Sequence, residues 1–480
     1  MKKVISLVLA AMLFVSAFAG CNSAPASSAG GGSSAGGQAS SSEAAGGGEA
    51  GGDRTLMIAG HARMYPGDEE AWDAVVKGFM EENPDVKVTV NWQGQWDQIP
   101  ENVSAAKLAG EKIDLYSCGA GVIRQSLIQA KMVTDVTELV EPYRDRFAEG
   151  MLDGITIGDK VWAFPVGSSG SCTFYYNESI FEELGLKEPS TYEELVALCN
   201  TIKEKKGIEP ILQQGQVATY WPMWFMETYA QSSGNKSVDN VRAFVAGDKK
   251  FNGEEEIKAF EMLKQFTDDG LVGQDSFNTD GDGMRAAFAQ GKAAMFFGGT
   301  WEYTSALAAV GDAFKIGVFE FPVMLSGVKA QHGGGCGTSL MIPTFGDPDN
   351  IDVTMKFVEY ITRPENAGPI IEPASPIIPS IVGVEPGDDP FIKKINEVHK
   401  KNTIPFLDWI WPAEVNDAFC QVIPAVMGGY TTPEEAANRV QDTFDTMVKE
   451  KEYKYDFWSD WSDADWEAVT PKFIPESYAK

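Results

Sequence analysis

The sequence predicts an α/β protein with a largely parallel sheet, and three observations carry that reading. Short apolar strand-like stretches recur along the chain, and helical periodicity fills the segments between them. No period of about 20–50 residues repeats, which excludes a solenoid. The elements follow in order. Thr55 to Ala59 (TLMIA) reads as a strand. Trp72, Val75, Val76, Phe79 and Met80 then fall at i, i+3, i+4, i+7 and i+8, one face of a helix. Asn83-Pro84 stops that helix, and Val86 to Trp92 alternates apolar with polar residues as a half-buried strand does. A helix through Val103 and Leu108 leads to a strand from Ile113 to Ser117, and the pattern resumes past Trp162 with a strand from Ser171 to Asn177. Thr191 with Glu194 three residues on forms a capping box that opens a helix at Tyr192. Thr432-Pro433-Glu434-Glu435 forms another, and the helix behind it carries Ala436, Val440, Phe444 and Met447 on one face.

The N-terminus reads differently. Lys2 and Lys3 precede an apolar run from Val4 to Ala19, followed by Gly20 and Cys21. That order describes an export signal over residues 1–20, and the run is shorter than the ~20 residues a helix needs to span a bilayer. A cysteine after Ala-Gly resembles the bacterial lipobox, in which that cysteine receives a diacylglycerol and becomes the new N-terminus. Phe18 stands where that motif usually has Leu or Ala, and an ordinary cleaved signal is the alternative. Residues 21–52 are almost entirely Gly, Ser and Ala beyond the cysteine. Such a segment buries too little apolar surface to fold, and as a tether it spans on the order of 30 Å. The expectation is a folded body leashed to the outer face of the cytoplasmic membrane by lipid on Cys21.

That body, from about Asp53 to Lys480, is long enough for two substantial lobes. Hydrophobic residues at 44% and aromatics at 11% mark it as well packed. The formal charge of -30 becomes -32 once Lys2 and Lys3 leave with the signal. So acidic a surface argues against nucleic acid or anionic lipid headgroups as partners. Besides Cys21 the chain has Cys118, Cys172, Cys199, Cys336 and Cys420, widely spaced, with no C-x-x-C pair and no histidine at zinc spacing. They read mainly as small buried hydrophobes, with a single disulfide left open and no metal expected.

Four segments then carry a resemblance. Ala71-Trp72 through Asn83-Pro84-Asp85-Val86-Lys87-Val88 is one, and Gly110 to Tyr116 (GEKIDLY) the next. Tyr175-Tyr176-Asn177 leads through Phe181 and Leu184-Gly185 to Pro189-Ser190-Thr191-Tyr192-Glu193-Glu194-Leu195. Gly291-Lys292-Ala293-Ala294-Met295 precedes Gly298-Gly299-Thr300-Trp301. In this order they resemble the substrate-binding lipoproteins of carbohydrate ABC transporters, similar in fold to maltose-binding protein; Tyr192 replaces the family's usual Trp. The resemblance implies a two-lobed periplasmic-binding-protein-like fold with three hinge crossovers. These are expected near Gly167 to Thr173, Phe297 to Gly299 and Gln331 to Gly337. The N-terminal lobe would then comprise residues 53–167 plus 299–332, and the C-terminal lobe residues 168–298 plus 333–480. Small residues at the crossovers, Gly167-Ser168-Ser169-Gly170-Ser171 and Gly333-Gly334-Gly335, suit segments that absorb backbone rotation, although surface loops have the same composition. The resemblance further implies a monomeric receptor without cofactor or catalysis that hands an extracellular sugar, an oligosaccharide in particular, to an ABC permease.

Sugar rings present apolar C–H faces bordered by hydroxyls, so aromatic faces with amide and carboxylate partners suit them. Trp96 follows the second strand, Tyr220, Trp221 and Trp224 follow a Gln-Gly-rich stretch, Trp301 follows Gly298-Gly299, and Trp409 and Trp411 precede Pro412. Trp301 and Trp221 are the foremost stacking candidates, set on opposite sides of a cleft, while burial in a core is the alternative for each Trp. Gln95, Asp97, Ser168, Ser169, Glu302 and Glu414 are candidate polar partners. His61 and Arg63 lie in the loop after the first strand, where Arg63 would meet an acidic sugar or a salt-bridge partner. Trp458, Trp461 and Trp466 belong to a C-terminal extension and are expected to pack.

Two patterns imitate other functions. Asn278-x-Asp280-x-Asp282-Gly283 starts like an EF-hand loop, yet Ala289 stands where the bidentate Glu belongs. Gly119-Ala120-Gly121 starts like a dinucleotide turn, yet Arg124 replaces the third Gly. A binder of a glycerol phosphodiester would need clustered cations, and a polyamine binder clustered carboxylates; neither cluster stands out. A surface glycosidase would need a carboxylate pair such as Glu302 and Glu414 at a fixed separation.

Overall fold

The computed structural model describes residues 54–60, 68–93, 98–122, 126–170, 173–374, 380–385 and 388–472. Among the described residues, twelve strands build three sheets, and large apolar cores form around the two larger ones. Strands β1 (Arg54–Gly60), β2 (Val86–Trp92) and β3 (Leu115–Cys118) pair in parallel with β1 central. Next come a two-strand hairpin, β4 (Thr156–Ile157) with β5 (Lys160–Val161), and β6 (Phe164–Gly170). The second sheet holds β7 (Thr173–Asn177), β8 (Glu209–Ile211), β9 (Ala293–Gly298) and β10 (Ile316–Glu320) in the order β10-β7-β9-β8. Finally β11 (His332–Met341) and β12 (Thr403–Pro405) return to the first sheet. The sheets are therefore more mixed than the sequence predicts: β1, β2 and β3 are parallel, but β7 pairs antiparallel to both neighbours.

Local chemistry accounts for the elements. Trp72, Val75, Val76 and Phe79 bury one face of the helix Asp68–Glu82 against the first sheet, as their spacing requires. Both predicted capping boxes form: Thr191 with Glu194, and Thr432 with Glu435, each satisfying amides that a helix start leaves orphaned. A third, Ser462 with Asp465, starts the short helix Asp463–Val469. Asp280 spends its carboxylate on the Gly283 amide (2.7 Å) as an N-cap, and Asp282 pairs with Arg285 (2.8 Å). The EF-hand-like run is thus a helix start.

β11 organises the passage between the cores. Its start, His332 to Gly334, pairs with β12, its middle and end pair antiparallel with β6, and Ser339 to Met341 pair with β3. The chain moves from the first core to the second between β6 and β7, and back between β10 and β11. These two passages coincide with two of the expected crossovers. Phe297 to Gly299 is no crossover, because β9 and the following helix Glu302–Val310 both pack in the second sheet's clusters. The chain instead crosses again between Ile381 of the first core and Phe391.

Lobe membership shifts accordingly. Residues 299–332, expected with the N-terminal lobe, pack with the second sheet, where β10 pairs with β7. Residues 333–370 and Ile381, expected with the C-terminal lobe, pack in the first core because β11 extends the first sheet. Thr300 clasps the junction: its amide and hydroxyl both donate to the Gly170 carbonyl (3.0 and 2.9 Å). The C-terminal extension packs back on the first core, with Trp461 edge-on to Trp162 at 6.2 Å and Val469 buried. Cys118, Cys199 and Cys336 are buried free thiols, and Cys420 is half-buried and free. No helix among the described residues is long and apolar enough to cross a membrane.

Candidate ligand-binding site

The site grows from the turn after β9. Gly299 lies directly beneath the Trp301 indole, whose ring atoms sit 2.2–2.3 Å from where a Cβ would be. Only glycine allows that approach, so the Gly-Gly step is what lays the ring against the backbone. Trp301 is half-buried, and its indole N–H donates to the Tyr220 hydroxyl at 2.6 Å. Tyr220 in turn donates to Glu302 Oε1. Gln214 Nε2 donates to the same oxygen at 2.7 Å, and Arg285 Nη1 to Glu302 Oε2 at 2.8 Å. Glu302 is 3% exposed, so its charge is held by a hydrogen-bonded cation and two neutral donors rather than by water. The arrangement holds the half-buried indole in one orientation.

Aromatic packing continues from there through Phe406, itself buried in the second core. Phe406 lies 6.3 Å from Trp301 between centroids, and Trp409 lies 4.5 Å from Phe406. Trp409 packs against both cores, and its indole would sit 2.7 Å from a Cβ at Gly121, just after β3. The Gly119-Ala120-Gly121 pattern therefore serves close packing across the two cores. Trp301, Phe406 and Trp409 make one aromatic ladder, backed by the Tyr220–Glu302–Gln214–Arg285 network.

The other candidates fall elsewhere. Trp221 is 1% exposed, stacked on Phe277 at 5.3 Å, and donates its N–H to the Gly215 carbonyl (3.1 Å). Trp224 is fully buried among Phe174, Phe266, Phe297 and Phe321. Both stand on the helix Trp221–Ser232, apolar on nearly every face and hence buried all round. Trp221 and Trp301 belong to the same core, so they do not face each other across a cleft. Trp411 is buried, stacked on Phe419 at 4.4 Å, and Glu414 is paired with Lys451 at 2.6 Å. Ser168 and Ser169 lie on β6 in register with Cys336 and Gly335. His61, Arg63, Gln95, Trp96, Asp97 and Cys21 lie outside the described residues. Gln214 and Arg285 were missed by the sequence reading; the signal was there in Gln213-Gln214 before Gly215, and in Arg285 one helical turn after Asp282.

The chain matches the family described as bacterial extracellular solute-binding protein over residues 65–368, well over half its length. It is 25% identical over 299 residues to the multiple sugar-binding protein of Streptococcus mutans, covering 60% of this chain and 67% of that protein. It is 23% identical over 317 residues to the sn-glycerol-3-phosphate-binding periplasmic protein of Shigella flexneri, covering 62% of this chain and 68% of that one. An extracellular-binding protein of an ABC transporter from Pyrococcus horikoshii matches at 24% over 272 residues, and there the chain spans 59% of the relative's length. Among solved structures, a chitin oligosaccharide binding protein superposes with a TM-score of 0.70 at 21% identity, over 82% of this chain and 98% of that one. The solute-binding protein RafE bound to raffinose superposes with a TM-score of 0.66 at 22% identity, over 82% and 99%. The two-lobed fold of these sugar-binding proteins is the fold of this chain. The chain belongs to the bacterial extracellular solute-binding protein family.

Proposed function

We propose that the protein is a membrane-tethered receptor that captures an extracellular oligosaccharide and delivers it to an ABC permease. The observation that carries this reading is the ladder of Trp301, Phe406 and Trp409, with Trp301 fixed from behind by Tyr220 and Glu302. Sugar rings would stack on the half-buried Trp301 and Trp409, which Phe406 supports from within the core, and amide or carboxylate groups at the rim would accept their hydroxyls. The preset geometry of Trp301 lowers the ordering cost of binding. A phosphate ligand is less favoured, because Arg285 is already engaged by Glu302 and Asp282. Closure of the lobes about the β6 and β11 strands would then bury the sugar and favour the liganded state.

A thermal-shift panel of mono- and oligosaccharides, with sn-glycerol 3-phosphate included, tests the ligand class. A cognate sugar at 100 times its dissociation constant should stabilise the folded state by about 2.7 kcal/mol. A shift with glycerol phosphate and none with any sugar would reverse the assignment.

The tether is part of the same proposal and rests on Gly20-Cys21 and the Gly/Ser/Ala stretch behind it. Two acyl chains anchor stably where one binds reversibly. Cys21→Ser should release the protein from membranes into the medium and leave sugar affinity unchanged. Mass spectrometry that finds no lipid on the wild-type protein removes the anchor from the proposal.

A further inference from the structure

Trp409 also lines a groove of about 740 Å³, within the ~300–1,000 Å³ span of small-molecule sites. Ser126, Gln129 and the hairpin residue Gly158 line it from the first core, and Trp409 and Glu414 from the second. Its remaining wall is the C-terminal extension, which contributes Tyr455 and Trp458. Trp458 is half-buried. Its indole lies against Gly158, 3.1–3.6 Å from where a side chain would begin, and it meets Tyr455 and Phe457 edge-on at 6.0 and 5.1 Å. An exposed Lys454–Asp460 ion pair spans the turn that carries it. The groove thus has half-buried aromatic faces on two walls and a rim of amide, hydroxyl and paired charge, including Lys451 with Glu414 at 2.6 Å. A greasy peptide-binding groove would lack that polar rim, whereas a sugar needs both parts.

We propose that this groove is a second run of sugar subsites, beginning at Trp409. In it Trp458 stacks on the units of a longer oligosaccharide that extend past Trp409. The proposal rests on the carbohydrate reading and adds to it a ligand length and a role for the C-terminal extension. Chains short enough to end at Trp409 do not touch Trp458; longer chains do.

Isothermal titration of the full chain with malto-, chito- and xylo-oligosaccharides, from dimers to hexamers, tests it. In the series that binds, Trp458→Ala should weaken the hexamer about tenfold, the equivalent of ~1.4 kcal/mol, and change the dimer less than about twofold. Gln129→Trp, at an exposed position on the groove rim, should obstruct long chains in the same way without touching the core, and it decides the matter if Trp458→Ala fails to fold. Equal affinity of both variants and the wild type for the hexamer overturns the proposal, as does an equal loss for dimer and hexamer. Unchanged sugar affinity with impaired transport would assign the groove to the permease and likewise overturn it. If Trp301→Ala weakens sugars while the groove variants do not, only the second subsites fall. If no sugar binds the wild type, the carbohydrate reading falls with them.

Discussion

Glu227→Ala should cost the fold about 3–5 kcal/mol, the usual loss when one partner of a buried ion pair is removed. Glu227 stands on the helix Trp221–Ser232 in the second core, and His332 is the first residue of β11, the strand that returns the chain to the first sheet. Both side chains are fully buried, with Glu227 Oε2 and His332 Nδ1 3.6 Å apart. Burial pushes the Glu227 carboxyl up to about 7, against the lowering pull of His332, and Glu320 nearby pushes it the same way as burial. Burial pulls the His332 imidazole down, but Glu227 and Glu320 outweigh it, so it too titrates above its ordinary value. Both groups therefore hold protons more tightly folded than unfolded, and they titrate as a pair. Their contribution to stability is fully present below the ordinary glutamate pKa of about 4.3, and is lost as pH rises through about 7. Denaturant midpoints measured from pH 5 to 8 should fall with rising pH in the wild type. Glu227→Gln should flatten that slope, because the amide keeps the volume and cannot ionise. An alanine variant within about 0.5 kcal/mol of the wild type, the range of a neutral surface change, and with the same pH profile would remove the pair from any structural role.

What the sequence made legible was whatever local chemistry decides. β1, β2 and the helix between them follow from apolar spacing and the Asn83-Pro84 stop, and the two capping boxes follow from four-residue patterns. Pairing across the chain was less legible. Gly167 to Gly170 and Gly333 to Gly335 read as loose hinge loops, yet they belong to β6 and β11, which pair with each other. Glycine has low strand propensity, but Gly334 opposite Gly170 shows the backbone ladder prevailing where tertiary pairing demands it. The lobe boundaries went astray for the same reason, since a partner strand more than a hundred residues away decides which sheet β11 joins.

The candidate site was half legible. Trp301 was marked by the Gly-Gly step before it, a local signal with a physical cause. Gln214, Tyr220 and Arg285 converge on Glu302 from separate stretches of the chain, and no spacing along it announces that. Trp221 and Trp224 looked like cleft aromatics because tryptophan clusters occur in both settings. Their surroundings, with Trp, Met, Phe and Tyr on successive faces of one helix, are those of a buried helix.

That distinction gives the other large effect. Trp224→Ala should lower the unfolding free energy by about 3–5 kcal/mol, since the ring is fully enclosed by four phenylalanines and leaves a cavity that packed neighbours fill only in part. Sugar affinity of the fraction that stays folded should be unchanged, because no face of Trp224 reaches solvent. Trp301→Ala should show the opposite pattern. Its ring is half-buried and backed by backbone, so truncation removes less core contact. It would also remove the indole's hydrogen bond to the Tyr220 hydroxyl, which still donates to Glu302, and a stacking face, weakening sugar binding by roughly 1–3 kcal/mol on the transfer value of a large side chain. Parallel calorimetry of the two variants, unfolding for stability and titration for affinity, separates the roles. If Trp301→Ala unfolds the protein and leaves the affinity of its folded fraction intact, Trp301 is a core residue, and the aromatic ladder is structural.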